Sequence, residues 1–270
     1  MARTTSSRSH VARSTAATPL RISVVGASVT YMCEPFSDGE RRGPYPLQLR
    51  EEVTRRGIPV ELNQWNRWYG MVTHTWEVYE RVRDSNPDVI ILNFGLAECE
   101  PRFIPNRIIA HLLGWRRSTA AVPMLYRKTV ARVLWRIARR WQRWSCAAFG
   151  QRTHRLPPRR FVEEFRRLIT VLERETGALI LLVDIDRQGE RYTTALPGIQ
   201  ERVEHYNRLL VEVTEMFGDR VRLMNASASC DRLPPEEWFD GRHRTPLAHA
   251  ETAQLLADEV TAWVEQAESA

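Results

Sequence analysis

Five short apolar runs, each followed by a stretch of helical periodicity, constrain the fold of this chain more than any other feature. The runs at 21–26, 58–63, 88–95, 178–185 and 221–226 have the length and composition of buried strands. The predicted helices cover 46–56, 72–84, about 125–145, 161–177, 198–217 and about 246–265. Strands that alternate with helices form a parallel sheet with helices on both faces. The sequence therefore predicts an α/β protein.

One such domain accounts for most of the 270 residues. Residues 1–20 are mainly Ser, Thr, Ala and Arg and predict a flexible tail, whereas 21–265 form the domain and 103–160 an insertion within it. The tail lacks the apolar stretch of a secretory signal, and no apolar run is long enough to predict a transmembrane segment. We therefore expect a cytoplasmic protein.

The four cysteines agree with that compartment. Cys33, Cys99, Cys146 and Cys230 are widely spaced and form no Cys-x-x-Cys pair. This spacing predicts free thiols in a reducing cytoplasm rather than a disulfide framework or a zinc site. We expect no metal ion and no organic cofactor.

The positive charge of the chain is concentrated in one segment. Residues 101–160 hold 15 Arg or Lys and no Asp or Glu, which leaves 24 basic and 33 acidic residues in the rest of the chain. The segment also holds four of the nine Trp: Trp115, Trp135, Trp141 and Trp144. Three interpretations stay open: a structural lid over the strand ends, a dock for an acidic protein, or a helix that binds an anionic membrane surface. Nucleic acid is a less fitting partner, because the sequence contains no known nucleic-acid-binding motif.

Polar side chains that follow the strands are the candidates for chemistry, since sites in parallel α/β proteins lie at the carboxyl ends of the strands. Ser28 follows the first strand in a Gly-Ala-Ser turn, where a serine either caps a helix or acts as a nucleophile. Asp240 and His243 lie three residues apart before the last helix. That spacing lets a carboxylate orient an imidazole that activates a distant serine. His249 is predicted either to face solvent or to pack within the last helix.

Four further residues follow the second and third strands. Gly70 and Gly95 offer backbone N–H donors for an oxyanion, although each also fits a plain turn. Glu98 fits either a cap on the next segment or a group that orients its neighbours. Arg102 fits an anionic substrate group or a surface charge. We assign all four provisionally to oxyanion or substrate binding.

These segments together resemble the blocks of the SGNH (GDSL-like) hydrolase family. GASVTY at 26–31, NRWYG at 66–70, FGLAE at 94–98 and the Asp-x-x-His before the last helix follow the family's order. The resemblance covers roughly 21–265 and implies a flavodoxin-like three-layer α/β/α fold with a five-stranded parallel sheet and a basic helical insertion after strand three. It further implies a catalytic triad of Ser28, Asp240 and His243, with Gly70 as an oxyanion donor.

The chain departs from the family pattern at two blocks. Ala27 stands where the family has Asp in its first block, and Ala97 stands where the family has its oxyanion-hole Asn. The loss of one oxyanion donor costs on the order of a hundred- to a thousandfold in rate. Three nearby asparagines are the candidate replacements: Asn63, Asn66 and Asn93.

The candidate residues, the family resemblance and the basic segment together leave three possible functions. The first is a serine esterase or acyltransferase that acts through an acyl-serine on a small-molecule or carrier-linked ester. The second is a catalytically impaired accessory or binding protein on the same scaffold. The third is an adaptor that docks an acidic partner or a membrane surface through the basic insertion.

Overall fold

The computed structural model describes residues 18–32, 43–101, 132–149, 153–230 and 243–269. The strands are β1 (Leu20–Gly26), β2 (Val60–Asn66), β3 (Val89–Asn93), β4 (Leu179–Val183) and β5 (Val221–Met224). The helices are α1 (Ser28–Tyr31), α2 (Tyr45–Arg55), α3 (Tyr79–Asp84), α4 (Leu96–Cys99), α5 (Arg132–Phe149), α6 (Pro158–Thr176), α7 (Glu190–Ala195), α8 (Ile199–Thr214), α9 (Ala226–Cys230) and α10 (Pro246–Ser269). A 3₁₀ helix spans Val72–Glu77.

All five strands are parallel, and they lie in the order β2-β1-β3-β4-β5. This is the flavodoxin-like order, and it confirms the predicted five-stranded parallel sheet. Gly26 pairs with Asn66 on one side and with Asn93 on the other. The carboxyl ends of β1, β2 and β3 are therefore level, so the loops that leave them meet at one edge of the sheet.

Helices cover both faces of the sheet because its central strands are apolar on both sides. Val25 and Leu92 belong to a core shared with residues of α6 and α8. Their neighbours Val24 and Ile91 belong to a second core, shared with residues of α2 and α10. Successive side chains of a strand point to opposite faces, so a continuous apolar run such as β3 buries both.

The boundaries of three elements differ from the predictions. The predicted helix at 72–84 is a 3₁₀ helix followed by α3, with a break at Val78. The predicted tail at 1–20 overlaps β1, where Leu20 is fully buried, while residues 1–17 lie outside the described part of the chain. Helix α6 begins at Pro158, a residue type favoured in the first helical turn, so the end of the predicted insertion at 103–160 belongs to α6.

Within the described residues, no helix combines the length and the hydropathy that a membrane crossing requires. Cys99 and Cys146 are buried, and neither forms a disulfide within the described residues. The side chains of Cys33 and Cys230 lie outside the described part of the structure.

Candidate active site

Ser28 is the first residue of α1, directly after the turn that ends β1. The turn is tight at Gly26, where a Cβ atom would lie 2.0 Å from Thr30 Oγ1 and 3.1 Å from the carbonyl oxygen of Asn93. The N–H of Ala27 donates to that same carbonyl (3.2 Å), which fastens the turn to β3. As the first helical residue, Ser28 has no acceptor for its own N–H within α1. The turn therefore presents both a hydroxyl and a backbone donor at the sheet edge.

His243 lies against this serine although 215 residues separate them in sequence. The two side-chain atoms, His243 Nε2 and Ser28 Oγ, are 3.0 Å apart, which is hydrogen-bond distance. Ser28 is 2% exposed and His243 is 5% exposed, so the pair is shielded from bulk water. The structure thus brings together two of the three predicted triad residues. Asp240 lies outside the described residues, and its role stays a prediction.

A buried ion pair anchors the segment that carries His243. Arg244 is fully buried, and its guanidinium donates to both carboxylate oxygens of Asp186, with 2.8 Å from Nε to Oδ2. Asp186 follows β4, while Arg244 also donates to Thr252 Oγ1 on α10 (2.6 Å). The residue after His243 is therefore tied both to the sheet edge and to the last helix. The sequence analysis missed this pair, although Arg244 is adjacent to His243.

His249 and Tyr45 form a second buried connection beneath the site. The Tyr45 N–H donates to His249 Nδ1 (3.2 Å), so the ring proton lies on Nε2, which donates to the Met32 carbonyl (3.0 Å). Burial, together with the charge of Arg244, lowers the pKa of His249 to about 3. Of the two predictions for His249, packing within the helix is right and solvent exposure is wrong.

Glu98 holds two loops of the site edge together. It is fully buried; its Oε1 accepts the Val72 N–H (2.6 Å) and its Oε2 accepts the Gly95 N–H (2.9 Å). Desolvation by burial raises the pKa of this carboxyl to about 7, against the backbone hydrogen bonds that lower it. These contacts agree with the predicted cap and orienting roles. Whether Glu98 also contacts a substrate stays a prediction.

The two glycines predicted as oxyanion donors already have acceptors in this arrangement. The Gly70 N–H donates to the Arg67 carbonyl (3.1 Å), and the Gly95 N–H donates to Glu98. Gly70 nevertheless packs onto the turn between β1 and α1, because a Cβ atom there would lie 3.3 Å from Ala27 Cα. Gly95 has a φ of 129° and contacts Ile185 so closely that a Cβ atom would lie 2.4 Å from its side chain. Arg102 lies outside the described residues.

Two of the three asparagines considered as replacements for an asparagine at Ala97 donate to other side chains. Asn93 Nδ2 donates to the Tyr45 hydroxyl (3.3 Å), and Asn66 Nδ2 donates to Gln64 Oε1 (3.3 Å). Asn63 pairs with Ser23, three residues before the end of β1. Ala97 itself is buried.

The sequence matches no family model, and it has no match among the curated proteins. Solved structures do resemble the chain. They include the lipase/acylhydrolase from Enterococcus faecalis (TM-score 0.58, 13% identity, 90% of this chain and 96% of that chain). The acetylxylan esterase Axe2 from Geobacillus stearothermophilus is similar (TM-score 0.58, 12% identity, 90% and 95%). So is LAE5, an alpha/beta hydrolase enzyme from the metagenome of Lake Arreo, Spain (TM-score 0.58, 12% identity, 90% and 95%). At these identities the likeness establishes the α/β fold over most of the chain.

Proposed function

We propose that this chain is an SGNH-type serine esterase or acyltransferase that works through an acyl-Ser28 intermediate. The observation that carries the proposal is the 3.0 Å separation of Ser28 Oγ and His243 Nε2. A serine hydroxyl becomes a nucleophile when a neighbouring base accepts its proton, and an imidazole nitrogen at this distance is such a base.

The reaction proceeds in two halves. In the first, Ser28 Oγ attacks the ester carbonyl while its proton passes to His243 Nε2, and the same proton then goes to the departing alcohol. In the second, water or another alcohol attacks the acyl-serine; His243 accepts its proton and returns one to Ser28 Oγ. Asp240 is proposed to orient the imidazole. Water as acceptor gives hydrolysis, and an alcohol gives transfer.

The oxyanion that forms in each half needs donors. The Ser28 N–H at the start of α1 is proposed as the first of them. With Ala97 in place of an asparagine, and with the Gly70 and Gly95 N–H groups bonded to protein acceptors, fewer donors converge than the family pattern implies. We therefore expect a turnover on the order of a hundred- to a thousandfold lower than that of a site with the extra donor.

The substrate class is proposed from the chemistry and from the structural neighbours. Two of these are named as a lipase/acylhydrolase and an acetylxylan esterase, and both names denote enzymes that act on acyl groups. We accordingly propose a carboxylic ester of a small molecule, or an acyl group carried on a partner, as substrate. No metal ion or organic cofactor takes part in the proposed steps.

A comparison of two serine variants tests the function. Purified protein is assayed for the release of alcohol from short-chain aryl esters, with Ser28→Ala beside Ser23→Ala. Ser23 is also buried on the same β1 segment, where its hydroxyl contacts Ser85 Oγ (3.0 Å) instead of a base. We expect Ser28→Ala to lose at least about a thousandfold in rate and Ser23→Ala to retain the rate within about threefold. Equal rates in the two variants would refute the proposal.

The engaged glycine N–H groups and Ala97 favour one second candidate, a binding protein on an impaired hydrolase scaffold. This candidate predicts that wild-type protein releases no alcohol faster than buffer does, yet still binds an ester or its product. The same assay shows whether the protein releases alcohol. Calorimetric titration with an analogue of the assayed aryl ester shows whether it binds one, so the two measurements together separate the two functions.

A further inference from the structure

Helix α5 turns an apolar face outward. Val133, Leu134, Ile137 and Trp144 are spaced so that they share one side of a helix with a period of 3.6 residues. Their exposed fractions lie between 44% and 62%. Helix α6 has an apolar face of the same kind, yet it buries that face in the core, as Phe165 and Leu168 show. The exposure of the α5 face therefore needs an explanation of its own.

A different side of α5 contacts the rest of the protein. Cys146 is 3% exposed and belongs to the core shared with α6 and α8, so it marks the buried side of the helix. The exposed side chains of Val133, Leu134, Ile137 and Trp144 lie on the other side. Contiguous exposed apolar surface of this kind marks an interaction site in soluble proteins.

The charge beside this face indicates the chemistry of the partner. Arg136, Arg140 and Arg143 are exposed along the helix side next to the apolar face. Residues 101–160 contain no acidic residue, while the remainder of the chain carries 33 acidic against 24 basic residues. An anionic surface would attract this segment and repel the rest, which fixes how the molecule approaches it.

We propose that α5 lies in the plane of an anionic lipid surface, with Val133, Leu134, Ile137 and Trp144 in the boundary between head groups and acyl chains. An apolar face with Trp and Leu beside a row of Arg is the composition of helices that bind this boundary. The face is a convex helix side rather than a groove, which suits a fluid surface better than a folded protein partner. The proposal goes beyond the ester chemistry and does not rest on it.

The position of the docked helix in the chain gives it a link to the candidate active site. The segment after α5 returns to the loop of Glu98, where the Leu156 N–H donates to the Glu98 carbonyl (3.2 Å) and the Arg155 N–H donates to that of Glu100 (3.1 Å). Surface binding through α5 would therefore hold this edge of the sheet close to the lipid.

Vesicle flotation tests the proposal on full-length protein. The probes are vesicles of phosphatidylcholine alone and vesicles with phosphatidylglycerol added, at low and at high salt. We expect binding to the anionic vesicles that high salt weakens, and an at least about tenfold weaker partition for Ile137→Asp. Val211→Asp is the matched control, because Val211 is an exposed apolar residue on α8 (43%). It should bind as wild type does.

A second pair of variants separates local charge from net charge. Replacement of Arg136, Arg140 and Arg143 by Gln should reduce binding at least about tenfold, whereas the same replacement of Arg166 and Arg174 on α6 and Arg208 on α8 should change it by less than about threefold. Ser28→Ala should bind as wild type does, which keeps this test apart from that of the proposed function.

Several outcomes would overturn the proposal. They are no binding of wild type to anionic vesicles, equal binding to neutral vesicles, or equal effects of the α5 and control variants. Light scattering tests whether a second copy of the chain or another protein binds the apolar face of α5 instead. A dimer that Ile137→Asp dissociates, without vesicle binding, would assign the face to a second copy of the chain. Vesicle-free binding of an acidic carrier protein that the Arg variants abolish would assign it to a protein partner.

Discussion

Arg244 is a charged residue that is fully buried directly after His243. It is among the largest side chains that the structure buries fully, and its charge is balanced by Asp186. A buried charge without its partner is strongly unfavourable, whereas loss of both charges together is often tolerated. The pair therefore holds the segment of His243 against the end of β4.

Variants of this pair should show non-additive effects. We expect Arg244→Met and Asp186→Leu each to lower the free energy of unfolding by about 3–5 kcal/mol, and the double variant Arg244→Met/Asp186→Leu to recover part of the loss. Urea unfolding of the four proteins measures this. Additive losses in the double variant would contradict the account of the pair.

Glu98 makes the stability of the folded protein depend on pH. Burial raises its pKa from the ordinary 4.5 to about 7, so the folded protein keeps a proton that the unfolded chain releases. This contribution to stability is therefore fully present below pH 4.5 and is lost as the pH rises to about 7.

Glu98→Gln should destabilise the protein and reduce this pH dependence. Glutamine has one acceptor oxygen, so either the Val72 or the Gly95 N–H loses its partner, at about 1–3 kcal/mol. The stability gap between wild type and Glu98→Gln should narrow from pH 5 to pH 7.5, as chemical unfolding at both values would show. Glu163→Gln, at an exposed position on α6, is the control. A gap that widens with pH would contradict the raised pKa.

Residue-level prediction from the sequence worked where chemistry narrows the choice and failed where packing decides. Ser28 and His243 were predicted to lie together because a nucleophile and a base have expected places relative to strands and helices, and their side chains do so. Arg244 and His249 were not assigned their roles, because nothing in a linear pattern shows that a charged or polar ring will be fully buried. Glu98 makes the predicted capping contact with the Gly95 N–H, and its assignment to substrate binding stays a prediction.

At the scale of elements, the turn from β1 into α1 is the part that places Ser28 beside His243. Gly26→Ala should shift this turn, since the new methyl group would meet Thr30 Oγ1 and the Asn93 carbonyl. We expect a loss of about 1–3 kcal/mol in unfolding free energy and a fall in activity larger than this loss of folded protein explains. Gly218→Ala is the control, as its Cβ would meet nothing within 4 Å. Equal behaviour of the two variants in melting and activity would contradict the account.

The sequence predicted long elements better than short ones. Strands and amphipathic helices such as α6 and α8 leave periodic patterns of five to 19 residues, which identify them. Helices α1 and α4 have four residues each, too few for a period, although they carry Ser28 and Glu98. The parts of the chain that place functional groups are thus the parts with the weakest pattern.

For the whole molecule, the arrangement explains how distant residues form one site. The parallel sheet brings the ends of β1, β2, β3 and β4 to the same edge, and the residues before α10 fold back onto that edge through Arg244. The likeness to solved hydrolases covers 90% of the chain and concerns this same scaffold. The basic segment carries the excess positive charge of the chain, and its helix α5 exposes the side chains of Val133, Leu134, Ile137 and Trp144.

The most direct test of the central claim is the mass of intact protein after reaction with a fluorophosphonate, which modifies only activated serines. The account predicts a single adduct on wild type and on Ser23→Ala, and none on Ser28→Ala or His243→Ala. With all four proteins folded by circular dichroism and the probe active on a control hydrolase, an unmodified wild type would contradict the claim that His243 activates Ser28.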